Sequence, residues 1–246
     1  QVANIKQDMA WIEEVDGHLA PRLYLAEQDM VSGIRVGSLE GYLDEFYNTG
    51  DAKFARVELV ADRFSNMANF DVEGEINLDA GELKNNGQIE SERGHISADN
   101  ITQITTKHQL GSKEVRGRIA TIRYRDHGVT RTRGNMTMVG GVIKSKNKNE
   151  VYVGGDANLE ALELADIKSD QDYNISNIAS QIESGNADNV VQIAGDLNST
   201  ATKFKAGRSN KVKVAGKSRL LAAKDVSHKE VRYYKDRSGL YDKEKH

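Results

Sequence analysis

Leu43-Asp44-Glu45-Phe46-Tyr47-Asn48-Thr49-Gly50 comes back three times further along the chain. It returns as Ala61-Asp62-Arg63-Phe64-Ser65-Asn66-Met67-Ala68, as Ala80-Gly81-Glu82-Leu83-Lys84-Asn85-Asn86-Gly87, and as Ala98-Asp99-Asn100-Ile101-Thr102-Gln103. The offsets are 18, 19 and 18 residues. Alternating small or apolar residues precede or open each copy: Leu39/Gly41, Val57/Leu59, Ile76/Leu78 and Ile96/Ala98. Alternation with period two marks a strand with one buried face. A strand pattern this closely repeated is too tight for the helix-containing solenoids and suits one turn of a parallel β-solenoid. The competing reading is chance similarity within a Gly- and Asn-rich β-sandwich. Three matched offsets at four positions argue against it.

The expected fold is therefore all-β, a right-handed parallel β-helix (β-solenoid) with turns of ~18–21 residues. In such a stack each position meets its own counterpart one turn away. Leu43, Phe46, Leu59, Phe64, Leu78 and Leu83 are expected to point inward as a core stack. Asn48, Asn66 and Asn85 are expected to form a side-chain amide ladder at one corner, with Gln103 continuing it. Gly50 and Gly87 follow two residues later, where a corner calls for positive φ.

The second half repeats differently. Val151–Ala161 resembles Val191–Ala201 and Val212–Ala222, each beginning V-x-[VI]-x-G or close to it, at offsets of 40 and 21. The larger offset has room for two turns. Met136–Ile143 is a weaker member of the set. At ~20 residues per turn the chain makes about a dozen turns, a rod of ~55–60 Å. Four parts follow: 1–32, an opening segment with a hairpin; 33–106, regular turns; 107–133, a basic loop or irregular turns with a basic outer face; and 134–246, a second set of turns ending in a basic tail. Residues 166–188, rich in Asp, Ser and Asn, look like another excursion.

Composition narrows the chemistry. Of 246 residues 38% are hydrophobic and 29% charged, polar for this length, and cysteine is absent. That excludes disulfides, thiolate metal sites and a cysteine nucleophile. No apolar run reaches the ~18 residues of a membrane span. The N-terminus has neither a signal-peptide layout nor an initiator Met, so the chain reads as an excised or processed segment. Charge is uneven: residues 1–100 carry 20 acidic and 8 basic side chains, residues 201–246 carry 5 and 14. A basic end is either a nucleic-acid or membrane contact or a solvated edge. Its few aromatics, Phe204, Tyr233, Tyr234 and Tyr241, do not interleave with the charges as a base-stacking platform requires, so no nucleic-acid partner is expected.

The search for catalytic signatures is negative. The six histidines form no H-x-x-x-H or H-x-E pair, and no P-loop, G-x-S-x-G or G-x-G-x-x-G occurs. No metal, cofactor or enzymatic activity is expected. β-Helices can cleave polysaccharides with two carboxylates on one face. Asp79, Glu90 and Glu92, or Asp62 and Glu82, are candidates, but the abundance of acids in residues 1–100 makes a solvated acidic face an equal explanation.

Asp8–Glu14, a short polar turn and Leu19–Ala26 (with Pro21) resemble the D-[MI]-V-W-L-V, hairpin, L-V-P-x-V-Y opening of the second haemagglutinin-repeat block in filamentous haemagglutinin and CdiA-type contact-dependent growth-inhibition exoproteins. The units ending in Asn48, Asn66 and Asn85 resemble that family's L-x-N-x-G-x-I turns. Ser227–Tyr241 is similar to its K-x-S-G-L-[FL] stretch. The similarity runs in order over nearly the whole chain. Ala215-Gly216-Lys217 departs from the family's Ala-Gly-Asp, and charges are more frequent than usual there. The resemblance implies a structural rod segment of a secreted or cell-surface exoprotein. It also implies export through an outer-membrane two-partner-secretion transporter and contact with a receptor or the outer membrane of a target cell.

Overall fold

The computed structural model describes the backbone of residues 9–15, 18–24, 35–230, 235–236 and 243–244, and the side chains of residues 37–230. The described residues contain no helix. Parallel strands stack as a β-solenoid of about 9 turns, roughly 21 residues apart. Each turn carries three ladders. The first aligns Leu59, Leu78, Ile96, Thr130, Val151, Val191 and Val212. The second aligns Phe46, Phe64, Leu83, Ile101, Met136, Ala157 and Leu197. The third aligns Ala52, Phe70, Ile89, Ile122, Ile143, Ile182 and Phe204.

These columns are the core, and all their members from Phe46 to Leu197 except Thr130 belong to one buried hydrophobic cluster. Phe46 and Phe64 stack with centroids 4.8 Å apart and planes 12° from parallel, matching the strand-to-strand spacing. Phe70 meets both edge-on at 5.5 and 5.4 Å. Such aromatic pairs add to the burial energy of the rings themselves.

The first-half repeat coincides with the strand register. Leu43, Ala61, Ala80 and Ala98 lie on successive turns, and Phe46–Ile101 and Asn48–Gln103 do the same. The fourth alternating pair differs: Ile76 and Leu78 pair with Gly94 and Ile96, one pleat earlier than Ile96/Ala98. Val151, Val191 and Val212 are direct neighbours too. The 40-residue offset therefore spans one turn, not two. The additional length is the hairpin Leu162–Ser169 with Asp172–Ile178, which leaves the coil and returns. Hairpins removed from the coil explain why there are about 9 turns rather than a dozen, giving a rod of ~40 Å at the strand spacing.

Met136–Val139 does not belong with the Val151 set. It lies on the second ladder, between Ile101–Ile104 and Ala157–Glu160. The partner of Val151 is Thr130, a polar inward residue that apolar matching passes over. Gly50 and Gly87 also differ from expectation, since among the described residues the positive-φ glycines are Gly41, Gly111 and Gly140. Gly87 is required instead by close approach: a Cβ there would collide with the backbone of Ala68 one turn away.

Within 107–133, Lys107–Leu110 and Lys113–Arg116 form a protruding hairpin, whereas Thr121–Tyr124 and Gly128–Thr132 are rungs of the solenoid. The two hairpins and Val226–Lys229 join in a five-stranded side sheet. At the other end, Met9–Val15 and His18–Tyr24 form an antiparallel hairpin, and the second of these strands runs parallel to Arg35–Asn48.

Phe64→Ala should cost about 3–5 kcal/mol, which for a chain of this length lowers the melting temperature by about 10 °C. Phe64→Asp should cost more, because it buries an unpaired charge. Thermal melting followed by circular dichroism measures both, and an Asp variant that melts like the wild type would remove Phe64 from the core.

Candidate functional site

Four sets of polar side chains are organised by the stack. The first is the amide ladder. Asn48 Nδ2 donates to Asn66 Oδ1 (2.9 Å), Asn66 Nδ2 to Asn85 Oδ1 (3.0 Å) and Asn85 Nδ2 to Gln103 Oε1 (2.7 Å). All four residues are fully buried. Their amides also donate to Asn69, Gln88, Thr121 and Val142 carbonyls, closing the corner between second and third ladders. The expected core residues lie close by: Phe46, Phe64 and Leu83 at 0% exposure, Leu59 and Leu78 at 2%. Leu43 is half-buried and packs against the core from its open side, because the described strand above it pairs only with Glu45–Tyr47.

A second ladder takes over where the first ends. Ser145 Oγ donates to Asn149 Oδ1 (2.9 Å), Asn149 Nδ2 to Asn189 Oδ1 (3.0 Å) and Asn189 Nδ2 to Asn210 Oδ1 (3.1 Å). It closes the other corner of the third ladder, through the Ile182 and Phe204 carbonyls. Sequence reading missed it. Asn149, Asn189 and Asn210 each sit two residues before the aligned valines, so the offsets of 40 and 21 already contained it.

The third set explains the Gly-Asp pair. Backbone N–H groups of Asn135, Asp156, Asp196 and Lys217 donate to the side-chain oxygens of Asn100, Asn135, Asp156 and Asp196 at 2.8–2.9 Å. A Cβ on Gly155, Gly195 or Gly216 would collide with the accepting oxygen, so glycine makes room for each contact. Lys217 receives support from Asp196 and supplies no acceptor onward; among the described residues no further rung follows it.

The fourth set is the basic run. Arg125 bridges Glu92 (3.1 Å) and Asp71 (3.0 Å) and donates to the Val72 and Glu73 carbonyls. Arg133 bridges Asp99 (2.6 Å) and Asp79 (2.8 Å) on two earlier turns, and those hydrogen bonds hold its guanidinium above the ordinary value. Arg131 lies over the Tyr152 ring at 4.6 Å, a cation–π contact. The carboxylates weighed for glycosidic chemistry are all engaged: Asp79, Glu90 and Glu92 with arginines, Asp62 with the Tyr42 hydroxyl at 2.7 Å, Glu82 with Asn100 at 2.8 Å.

Among the described residues three outer hollows stand beside these sets, one of about 310 Å³ being lined by Arg131, Tyr152, Gln192 and Lys213. One of about 260 Å³ is lined by Glu58, Asn77, Asp79, His95 and Ser97. One of about 300 Å³ is lined by Gln88, Glu90, Arg116, Arg118, Thr121, Arg123 and Lys144. Among the described residues no group of three or more His, Asp or Glu is placed to hold a metal ion. Comparison with family models, with curated proteins and with solved structures finds no match to this chain.

Asn66→Ala should cost about 3 kcal/mol, because it strands buried amide groups on both neighbouring turns. Asn198→Ala removes an exposed bond to Asn158 (3.1 Å) and should cost under about 0.5 kcal/mol. Urea unfolding of the two variants compares them directly, and equal losses would deny the ladder its structural role.

Burial, and then the nearby Arg131, hold His95 below its ordinary 6.5. The unfolded chain therefore binds the proton more readily. The His95 contribution is complete above pH 6.5 and is lost as pH falls through the lower folded value. Between pH 7 and 5 the wild type should lose more melting temperature than His95→Asn, and parallel pH profiles would contradict this.

Proposed function

We propose that this chain is a structural rod segment of a secreted, haemagglutinin-like two-partner-secretion exoprotein. In this reading it contributes to adhesion at a cell surface or to delivery of a C-terminal toxin to neighbouring cells. The observation that carries the proposal is the uninterrupted parallel stack, together with the resemblance of the opening, the Asn turns and the tail to that family. Its mechanism is mechanical. Backbone hydrogen bonds and side-chain columns set a fixed rise per turn, while outer side chains and the side sheet are free to meet a partner. Every turn pairs with chain that comes shortly before it, so the rod can assemble in the order in which the polypeptide leaves an outer-membrane transporter. Cysteine is absent, so this assembly needs no oxidising machinery.

Adhesion without a toxin uses the same rod, and the sequence following residue 246 in the native product separates the two. An antibody raised against residues 1–246 supplies the test. The expected result is a band several times larger than 27.2 kDa at the cell surface or in the medium. A band of that size confined to the cytoplasm would overturn the proposal.

A further inference from the structure

We propose that the hollow between the 107–116 hairpin and the third ladder binds a phosphate-bearing ligand. This is independent of the rod reading. The argument begins with a contrast inside the basic run. Arg125 and Arg133 are each held by two carboxylates and at least one carbonyl, so both are consumed by the fold. Arg116, Arg118, Arg123 and Lys144 are not. Arg123 reaches Glu90 only at 3.5 Å, and Glu90 also faces Arg125 at 3.8 Å. Arg118 approaches Asp51 at 4.0 Å. Arg116 and Lys144 make no ion pair among the described residues. These four cations share one hollow of about 300 Å³ with a single carboxylate.

The column of Arg123 and Lys144 runs Glu90, Arg123, Lys144, Glu183, so two cations stand side by side between carboxylates on the outer rungs. Arg123 and Lys144 are direct partners on adjacent parallel strands and point outward on the same face. Like charges directly opposite each other destabilise a sheet. The end of the hairpin and the segment after it bring Arg116 and Arg118 to the same hollow, and this stretch is fixed. Gly117 N–H donates to the Thr106 carbonyl (2.6 Å), Thr105 Oγ1 donates to the Gly140 carbonyl (2.8 Å), and Ala120 N–H donates to Thr105 Oγ1 (3.0 Å). A Cβ on Gly117 would collide with Thr106 Oγ1. Three arginines and a lysine brought to one hollow that a single carboxylate lines are what an anion site requires. Three guanidiniums match the several acceptor oxygens of a phosphate group, each offering paired N–H donors. The hollow holds a phosphate or pyrophosphate with a sugar-sized attachment. The phosphate belongs either to a free small molecule or to a membrane headgroup.

The test uses the full chain, inorganic pyrophosphate, and vesicles of phosphatidylcholine with or without phosphatidylglycerol. Isothermal titration should show pyrophosphate binding that weakens with added salt. The triple variant Arg116→Gln, Arg118→Gln, Arg123→Gln should lose at least about tenfold in affinity, as expected when charge-assisted bonds are removed. Arg208→Gln, which breaks only an exposed pair with Asp188, should bind as the wild type does. The triple variant should melt within a few degrees of the wild type, since the arginines it replaces make only long, exposed contacts. Vesicle co-sedimentation that depends on phosphatidylglycerol and is lost in the triple variant assigns the site to a headgroup. Pyrophosphate binding without vesicle binding assigns it to a free ligand. No pyrophosphate binding, or equal binding by the triple variant, overturns the proposal.

Discussion

The constraint on which everything else rests is the register of the parallel backbone ladder. Once adjacent turns pair in parallel, each inward residue lies about 4.8 Å from the same position in the next turn. An apolar column then closes on itself. A buried polar column must hand its hydrogen bonds from turn to turn, because a polar group stranded in the interior costs far more than its bond contributes. The amide is suited to this, since it donates on one side and accepts on the other. That is why Asn48, Asn66 and Asn85 recur, why Gln103 takes the fourth place, and why the chain starts a new Asn column at Asn149. Tyr124 sits between these regimes. It is fully buried, with its hydroxyl on the Val129 carbonyl and Thr130, and its ring fills the space over Gly128 where a side chain would collide.

The same constraint decides what could be read from sequence. Residues 39–103 repeat without insertion, so spacing alone located the inward columns and the amide corner. In the second half, local motifs kept their register but the distances between them lost their meaning. Hairpins inserted at the corners leave strand pairing untouched while altering every offset. A 40-residue gap with one rung on each side is indistinguishable in sequence from two short turns. Thr130 and Gly128 occupy core positions without an apolar side chain, so apolar matching favoured Met136 instead. The Gly-Asp pair is a related case. Its residues were visible, but their role depends on contact with the preceding turn.

Charge follows a similar logic. The acidic excess of residues 1–100 is partly answered by arginines that arrive later, and Arg125 and Arg133 each tie together acids from different turns. Each of these arginines spans two carboxylates and also donates to at least one backbone carbonyl, a network that contributes more than an isolated exposed pair. Arg116 and Lys144, close in sequence or stacking to these ties, make no ion pair among the described residues, and Arg118 and Arg123 make only single long ones. The division between arginines used by the fold and arginines left over is invisible in a count of charges. It emerges only from which acids lie within reach.

The side sheet draws its strands from three separated places: 107–116, 162–178 and 226–229. Its outermost strand, Val226–Lys229, follows the rung Ser218–Leu221 in the chain. The sheet is thus a clasp laid across several rungs. While the coil grows, its earlier strands wait with unpaired edges. Once Val226–Lys229 docks on Asp172–Ile178, the newest turns are tied back to a point two rungs behind them. Separating the 203–221 rung from the rungs before it must then also break an antiparallel pairing. A structure whose backbone ladders join only adjacent turns acquires a tie that spans several, and with it a separate barrier to disassembly.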